Sequence, residues 1–70
     1  MKEKLQKLNE YEWILPKSAR AGMNVDGKLI GNKYIIDTME DETIGQLANV
    51  CMMPGVIEPV VALPEAHFGY

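Results

Sequence analysis

One cysteine, Cys51, and one histidine, His67, are all that this chain of 70 residues offers to sulfur or imidazole chemistry. A single cysteine excludes an internal disulfide, and a single histidine excludes a zinc site built from several Cys and His ligands. Long apolar runs are missing too. The longest are a few residues, far below the roughly 20 needed for a membrane-spanning helix, and no apolar segment follows the charged start Met1-Lys2-Glu3-Lys4. Positive charge is absent from the whole second half. All seven Lys and Arg lie between Lys2 and Lys33, and residues 34–70 carry none. With a net charge of -3 and a pI near 4.9, the chain lacks the basic face of a stand-alone nucleic-acid binder. A lone cysteine beside five methionines suits a reducing compartment, and cytoplasmic placement is the expectation.

Hydrophobic residues make up 47% of the chain, an ordinary globular share that argues against disorder. Residues 1–10 are polar and form a lead-in, read as a frayed helix or a disordered segment. Tyr11-Glu12-Trp13-Ile14-Leu15 is rich in aromatic and branched residues and reads as a strand, closed by Pro16. Residues 17–23 read as loop. Asp26-Gly27 is a turn signal, with Asn24-Val25 and Lys28-Leu29-Ile30 as its flanking arms.

Asn32 is placed to cap a short helix running through Asp41, with Ile35, Ile36 and Met39 on one face. Thr43 and Gln46 have capping-box spacing, and Glu42 sits at the positive end of the helix dipole. Ile44, Leu47, Ala48 and Cys51 then form an apolar stripe at helical period, ended by Pro54-Gly55. Cys51 on that stripe is expected to be core, not a ligand. Met52-Met53 reads as core filler. Val60-Val61-Ala62-Leu63 has no alternation and reads as a strand buried on both faces. The fold class is therefore α+β, with short strands and one or two short helices. Seventy residues supply few layers for such a strand, so the expectation is an incomplete piece of a larger α+β catalytic domain.

The chemistry concentrates in Leu63-Pro64-Glu65-Ala66-His67-Phe68-Gly69-Tyr70, directly after that strand. A carboxylate and an imidazole two residues apart can orient each other, move protons or bind a metal. The plain alternative is a solvated Glu65 and a satisfied His67. Elsewhere, Asp37, Glu40, Asp41 and Glu42 match no calcium loop and read as a solvated helix end and cap. Lys2, Lys4 and Lys7 interleave with Glu3 and Glu10 and read as a solvated face; contact with RNA phosphate is the alternative. Trp13 reads as core or sheet packing before base stacking.

Three segments in order change the weighting. They are Trp13-Ile14-Leu15-Pro16, the stretch from Thr43 through Gln46, Asn49, Val50, Cys51, Pro54 and Gly55 to Val56, and the stretch from Val60 to Tyr70. Together they resemble RtcB-type RNA ligases near the N-terminus, where the last segment reads P-D-x-H-x-G-Y-G. The resemblance covers most of residues 11–70, taken here as one ligase-like part after the 1–10 lead-in. It implies an enzyme that uses GTP and two manganese ions to join an RNA 3′-phosphate, or a 2′,3′-cyclic phosphate after opening, to a 5′-hydroxyl. Cleaved tRNA halves and an archease-type activator are the implied partners. Glu65 stands where the family has Asp, and His67 matches the motif histidine; both are assigned catalytic roles. Gly69 is assigned to the cofactor site, as the glycine that lets the backbone approach closely. No metal ligand is assigned. The family's Asp-x-x-Cys pair, its further histidines and its guanylylated histidine have no counterpart among these residues. The expectation is one end of a larger enzyme, inactive as a 70-mer and without tight GTP or manganese binding. The non-enzymatic alternative is a small binding module that self-associates through exposed strands.

Overall fold

The computed structural model describes residues 1–57 and 60–62. Among them are four short strands, β1 (Gln6–Lys7), β2 (Glu12–Leu15), β3 (Gly27–Ile30) and β4 (Val60–Ala62), and two helices, α1 (Lys33–Thr38) and α2 (Asp41–Cys51). This is the small α+β arrangement that the residue pattern implies. The strands form one sheet in the order β1-β2-β3-β4. β1 and β2 are antiparallel, as are β2 and β3, while β4 runs parallel to β3.

The opening residues are ordered differently from the expected lead-in. Lys2–Lys4 form a 3-10 turn, and Gln6 and Lys7 pair with Ile14 and Trp13. The turn between β1 and β2 is built by Asn9, whose Oδ1 accepts from the backbone N–H groups of Tyr11 and Glu12, each at 2.9 Å. Asparagine favours this local bond because its short side chain mimics a backbone carbonyl. The start of the chain is clamped as well. The Met1 ammonium donates to Asp41 Oδ2 at 2.7 Å and the Lys2 N–H to Asp41 Oδ1 at 2.6 Å. Lys2 and Lys4 are not a loose solvated face either: Lys2 Nζ donates to the Asp37 carbonyl and Lys4 Nζ to the Ala19 carbonyl, both at 2.8 Å.

Asp26-Gly27 makes no hairpin. Asp26 Oδ1 accepts from the Lys17 N–H at 2.7 Å, and Gly27 is the first residue of β3. The preceding Asn24 is no strand arm. Its N–H donates to the Cys51 carbonyl and its Nδ2 to the Met52 and Met53 carbonyls, so it closes the end of α2.

Asn32 caps α1 as its position suggests, accepting from the Ile35 N–H at 2.9 Å. The helix ends at Thr38, before Asp41, because Asp41 opens the next one. That also displaces the expected capping box. Thr43 lies inside α2, whose N-cap is Glu40 with no side-chain bond. Asp41 and Glu42 occupy the first turn, where carboxylates are favoured.

The core is the α2 stripe laid against one face of the sheet. Ile44, Leu47, Ala48 and Cys51 are fully buried, together with Leu15 and Leu29. Pairing sets the faces, since partners in a ladder point the same way and neighbours along a strand alternate. Trp13, Leu15, Gly27, Leu29, Val60 and Ala62 share the covered side. Glu12, Ile14, Lys28, Ile30 and Val61 share the other, where no described element lies over Val61, 53% exposed. The expectation that β4 is buried on both faces is therefore corrected. Two methionines are corrected also: Met52 and Met53 are exposed, because α2 has already ended at Cys51 and its stripe does not extend to them.

Candidate functional site

Residues 63–70 lie outside the described residues, and with them Glu65, His67, Gly69 and Tyr70. What the structure gives is the scaffold that precedes them. β4 is held by β3 in parallel register, with Gly27, Lys28 and Leu29 beside Val60, Val61 and Ala62. The Val60 N–H also donates to the Asp26 carbonyl at 3.3 Å. Ala62 is buried, so the last described residue of β4 is fixed against the core beside Leu29. That end of β4 is the end of the sheet where β3 runs into Gly31 and Asn32 and where β2 begins.

The same end of the sheet carries a depression formed by described residues. It measures about 280 Å³ and is lined by Lys7, Glu10, Tyr11, Asn32 and Lys33. Its parts come from three segments. The β1–β2 turn supplies Glu10 and Tyr11, β1 supplies Lys7, and the β3–α1 junction supplies Asn32 and Lys33. Two bonds lock the junction to β2: the Gly31 N–H donates to the Tyr11 carbonyl at 2.8 Å, and Trp13 Nε1 donates to the Gly31 carbonyl at 2.8 Å. Trp13 is thus half-buried sheet packing, as its place in a strand suggests. Lys7 Nζ stands 5.9 Å over the Trp13 ring, a cation–π distance. Lys33 pairs with Asp37 at 2.7 Å along α1. Reasoning along the chain missed this depression, since its residues are up to 26 positions apart and none belongs to a motif.

Cys51 is inert. It is fully buried on α2, and burial pushes its thiol up, with the Asp26 charge adding to the shift. The acidic residues at the α1–α2 junction are engaged in structure: Asp37 pairs with Lys33, and Asp41 holds the chain start. No group of three or more His, Cys, Asp or Glu among the described residues is placed to hold a metal ion. These residues therefore do not fit a manganese pair. No described helix is long and apolar enough to cross a membrane.

Comparison with known proteins gives a consistent answer. No protein-family model and no solved structure matches the chain. Curated proteins do. The chain is 36% identical over 70 residues, all of its length, to a tRNA-splicing ligase RtcB of Methanocaldococcus jannaschii, spanning 7% of that protein. It is 35% identical over 66 residues, 94% of its length, to the Archaeoglobus fulgidus protein of the same name, spanning 14% of it. It is 39% identical over 62 residues, 89% of its length, to the Methanopyrus kandleri protein of that name, spanning 6% of it. Each of the three alignments spans 89% or more of this chain at 35% identity or above, and the chain belongs, as a short segment, to the RtcB family of tRNA-splicing ligases.

Proposed function

We propose that these residues contribute one wall of the active site of an RNA ligase, which joins a 3′-phosphate or 2′,3′-cyclic phosphate end to a 5′-hydroxyl end. The observation that carries this is similarity to tRNA-splicing ligases along 89–100% of the chain. Supporting it, a core-anchored β4 leads toward Leu63-Pro64-Glu65-Ala66-His67-Phe68-Gly69-Tyr70, the segment richest in chemistry.

In this reading Glu65 and His67 serve the catalytic cleft, and Gly69 lets the backbone approach the nucleotide. GTP would activate the RNA end, and manganese would neutralise phosphate charge. By the family resemblance, the ions would be bound by residues of a longer chain. RNA, in the form of cleaved tRNA halves, and an archease-type activator are the proposed partners, in the cytoplasm. The 70 residues alone would neither ligate nor hold GTP and manganese tightly.

The test is ligation of RNA bearing 3′-phosphate and 5′-hydroxyl ends, with GTP and manganese. A longer polypeptide carrying this segment should seal the ends, and the 70-mer should not. Replacing His67 by Ala in the longer chain should slow sealing about 10–100-fold, the usual cost of losing a group that orients a metal or nucleotide site. Sealing by the 70-mer, or full activity of the His67→Ala protein, would sink the assignment.

A second reading has its own observation. β4 is the last strand of the described sheet, and its Val61 is exposed. Unpaired strand edges recruit other strands. Self-association of the 70-mer is the non-enzymatic alternative.

A further inference from the structure

The depression beside β1 combines features that the described fold does not require. Tyr11 is 60% exposed on its rim, and Tyr34, next to rim residue Lys33, is 75% exposed. Neither ring contributes to the core. Lys7 makes no salt bridge among the described residues, and its ammonium is held above Trp13. Lys2, Lys4, Lys28 and Arg20 are each tied to a carbonyl, a carboxylate or an amide oxygen. The depression thus gathers an exposed tyrosine, a lysine with no described anionic partner and a second lysine bound only to an exposed aspartate. Asn32 keeps its NH2 group facing no described partner, while its Oδ1 caps α1.

We propose that this depression binds single-stranded RNA, one nucleotide stacking its base on Tyr11 while Lys7 and Lys33 meet the flanking phosphates. The chemistry favours a single strand. An exposed ring offers a stacking face only to an unpaired base, and base–aromatic stacking is indifferent to sequence. Ammonium groups on flexible stems follow a phosphate backbone as point charges. Glu10 also lines the depression, and its carboxylate opposes phosphate there. The position suits the ligase reading, on which the proposal rests for its choice of RNA. The depression lies at the same end of the sheet as the last described residue of β4.

The experiment is fluorescence anisotropy of 5′-fluorescein-labelled decauridylate RNA titrated with the 70-residue chain at low salt, without GTP or metal. Weak, saturable and salt-sensitive binding is expected, since the net charge of -3 leaves no extended basic face. Tyr11→Ala should weaken it about five-fold or more, the low end of what one stacked base contributes, and Tyr11→Phe should preserve it. Lys7→Gln should weaken binding at least about three-fold and reduce its salt dependence. Lys17→Gln, at the opposite end of β2, should leave binding unchanged. Absence of binding overturns the proposal, as does equal weakening by Lys7→Gln and Lys17→Gln, or an unaffected Tyr11→Ala chain. Trp13 fluorescence reports folding of each variant. If the isolated chain does not fold, the same substitutions in a longer ligase chain are read as KM for RNA against kcat; a raised KM at unchanged kcat supports the site, and an unchanged KM overturns it. The two readings fail separately. Binding without sealing activity in the longer chain leaves this site standing and removes the ligase assignment. Sealing with an unaffected Tyr11→Ala protein does the reverse.

Discussion

Gly27 shows how one residue sets the distance between the layers. A Cβ built there meets Leu47 Cγ and Cδ2 at 2.9 Å each, closer than real carbon atoms approach. The backbone angle at Gly27 is ordinary, so the need for glycine is purely steric. Leu47 is fully buried in the middle of α2 and has nowhere to retreat. Gly27→Ala should therefore cost about 1–3 kcal/mol, the usual range for overpacking a core. Leu47→Ala alone should cost about 2–5 kcal/mol through the cavity it leaves. The double substitution should cost less than the sum, because the new methyl enters the space the leucine vacates. Urea unfolding of the three variants measures this coupling. Strict additivity would show that α2 does not lean on Gly27. The Asp26-Gly27 pair also shows why local reading fails at such a position. The dipeptide has turn chemistry, but Asp26 is occupied by the Lys17 N–H and Gly27 by Leu47, both distant in sequence.

Among the elements, α2 was the most legible, since four apolar residues at helical period need only a surface to bury against. Its boundaries were not. The chain start lies over its first turn, and Asn24 closes its last, so both ends are fixed from elsewhere. β1 was invisible for a related reason. Gln6 and Lys7 are polar and exposed, and they pair only because Asn9 turns the chain. The clamp at Asp41 makes a pH prediction. Its carboxyl is held below the usual 3.8, first by the hydrogen bond from the Met1 ammonium and then by the Lys2 N–H. The ammonium is held above the usual 8.0, first by its bond to Asp41. A lowered carboxyl stabilises above its unfolded value, and that stability is lost as pH falls through the lower folded value. A raised ammonium stabilises below 8.0, and that stability is lost as pH rises through the higher folded value. Folding should thus be weakened on both sides of a neutral plateau. Asp41→Asn should flatten both limbs in part, read as the urea midpoint from acid to alkaline pH. It leaves the acid contribution of Glu12, which its Asn9 and Lys28 partners hold low. It also leaves the alkaline contribution of buried Cys51. Identical pH profiles for the two proteins would show that the clamp does not stabilise the fold.

At the scale of the whole molecule, the described residues cover the sheet on one face only. On the other, Ile14, Ile30 and Val61 surround the ion pair between Lys28 and Glu12, which are 3.2 Å apart. An apolar group of this kind on three adjacent strands is what a layered domain hides. The candidate tail, which lies outside the described residues, is read through its motif alone, because two chemical residues carry no periodic signal. The open face was not legible at all. Four consecutive apolar residues imply burial on both sides of a strand, whereas among the described residues β4 is covered by α2 on one side alone. Two features restrain the exposed edge: β4 has three residues, and Pro59 and Pro64 flank the apolar run in sequence. Association of the 70-mer should accordingly be weak and rise with concentration, read by light scattering or sedimentation. Val61→Lys should suppress it by placing a charge at the centre of the patch, while changing folding stability by no more than about 0.5 kcal/mol, as at other exposed positions. The same substitution in a longer ligase chain discriminates further. If other parts of that chain cover the patch, the lysine is buried there without a partner and should destabilise the protein well beyond its effect on the 70-mer. Equal, small effects in both would mean that this face stays open to solvent in the ligase as well.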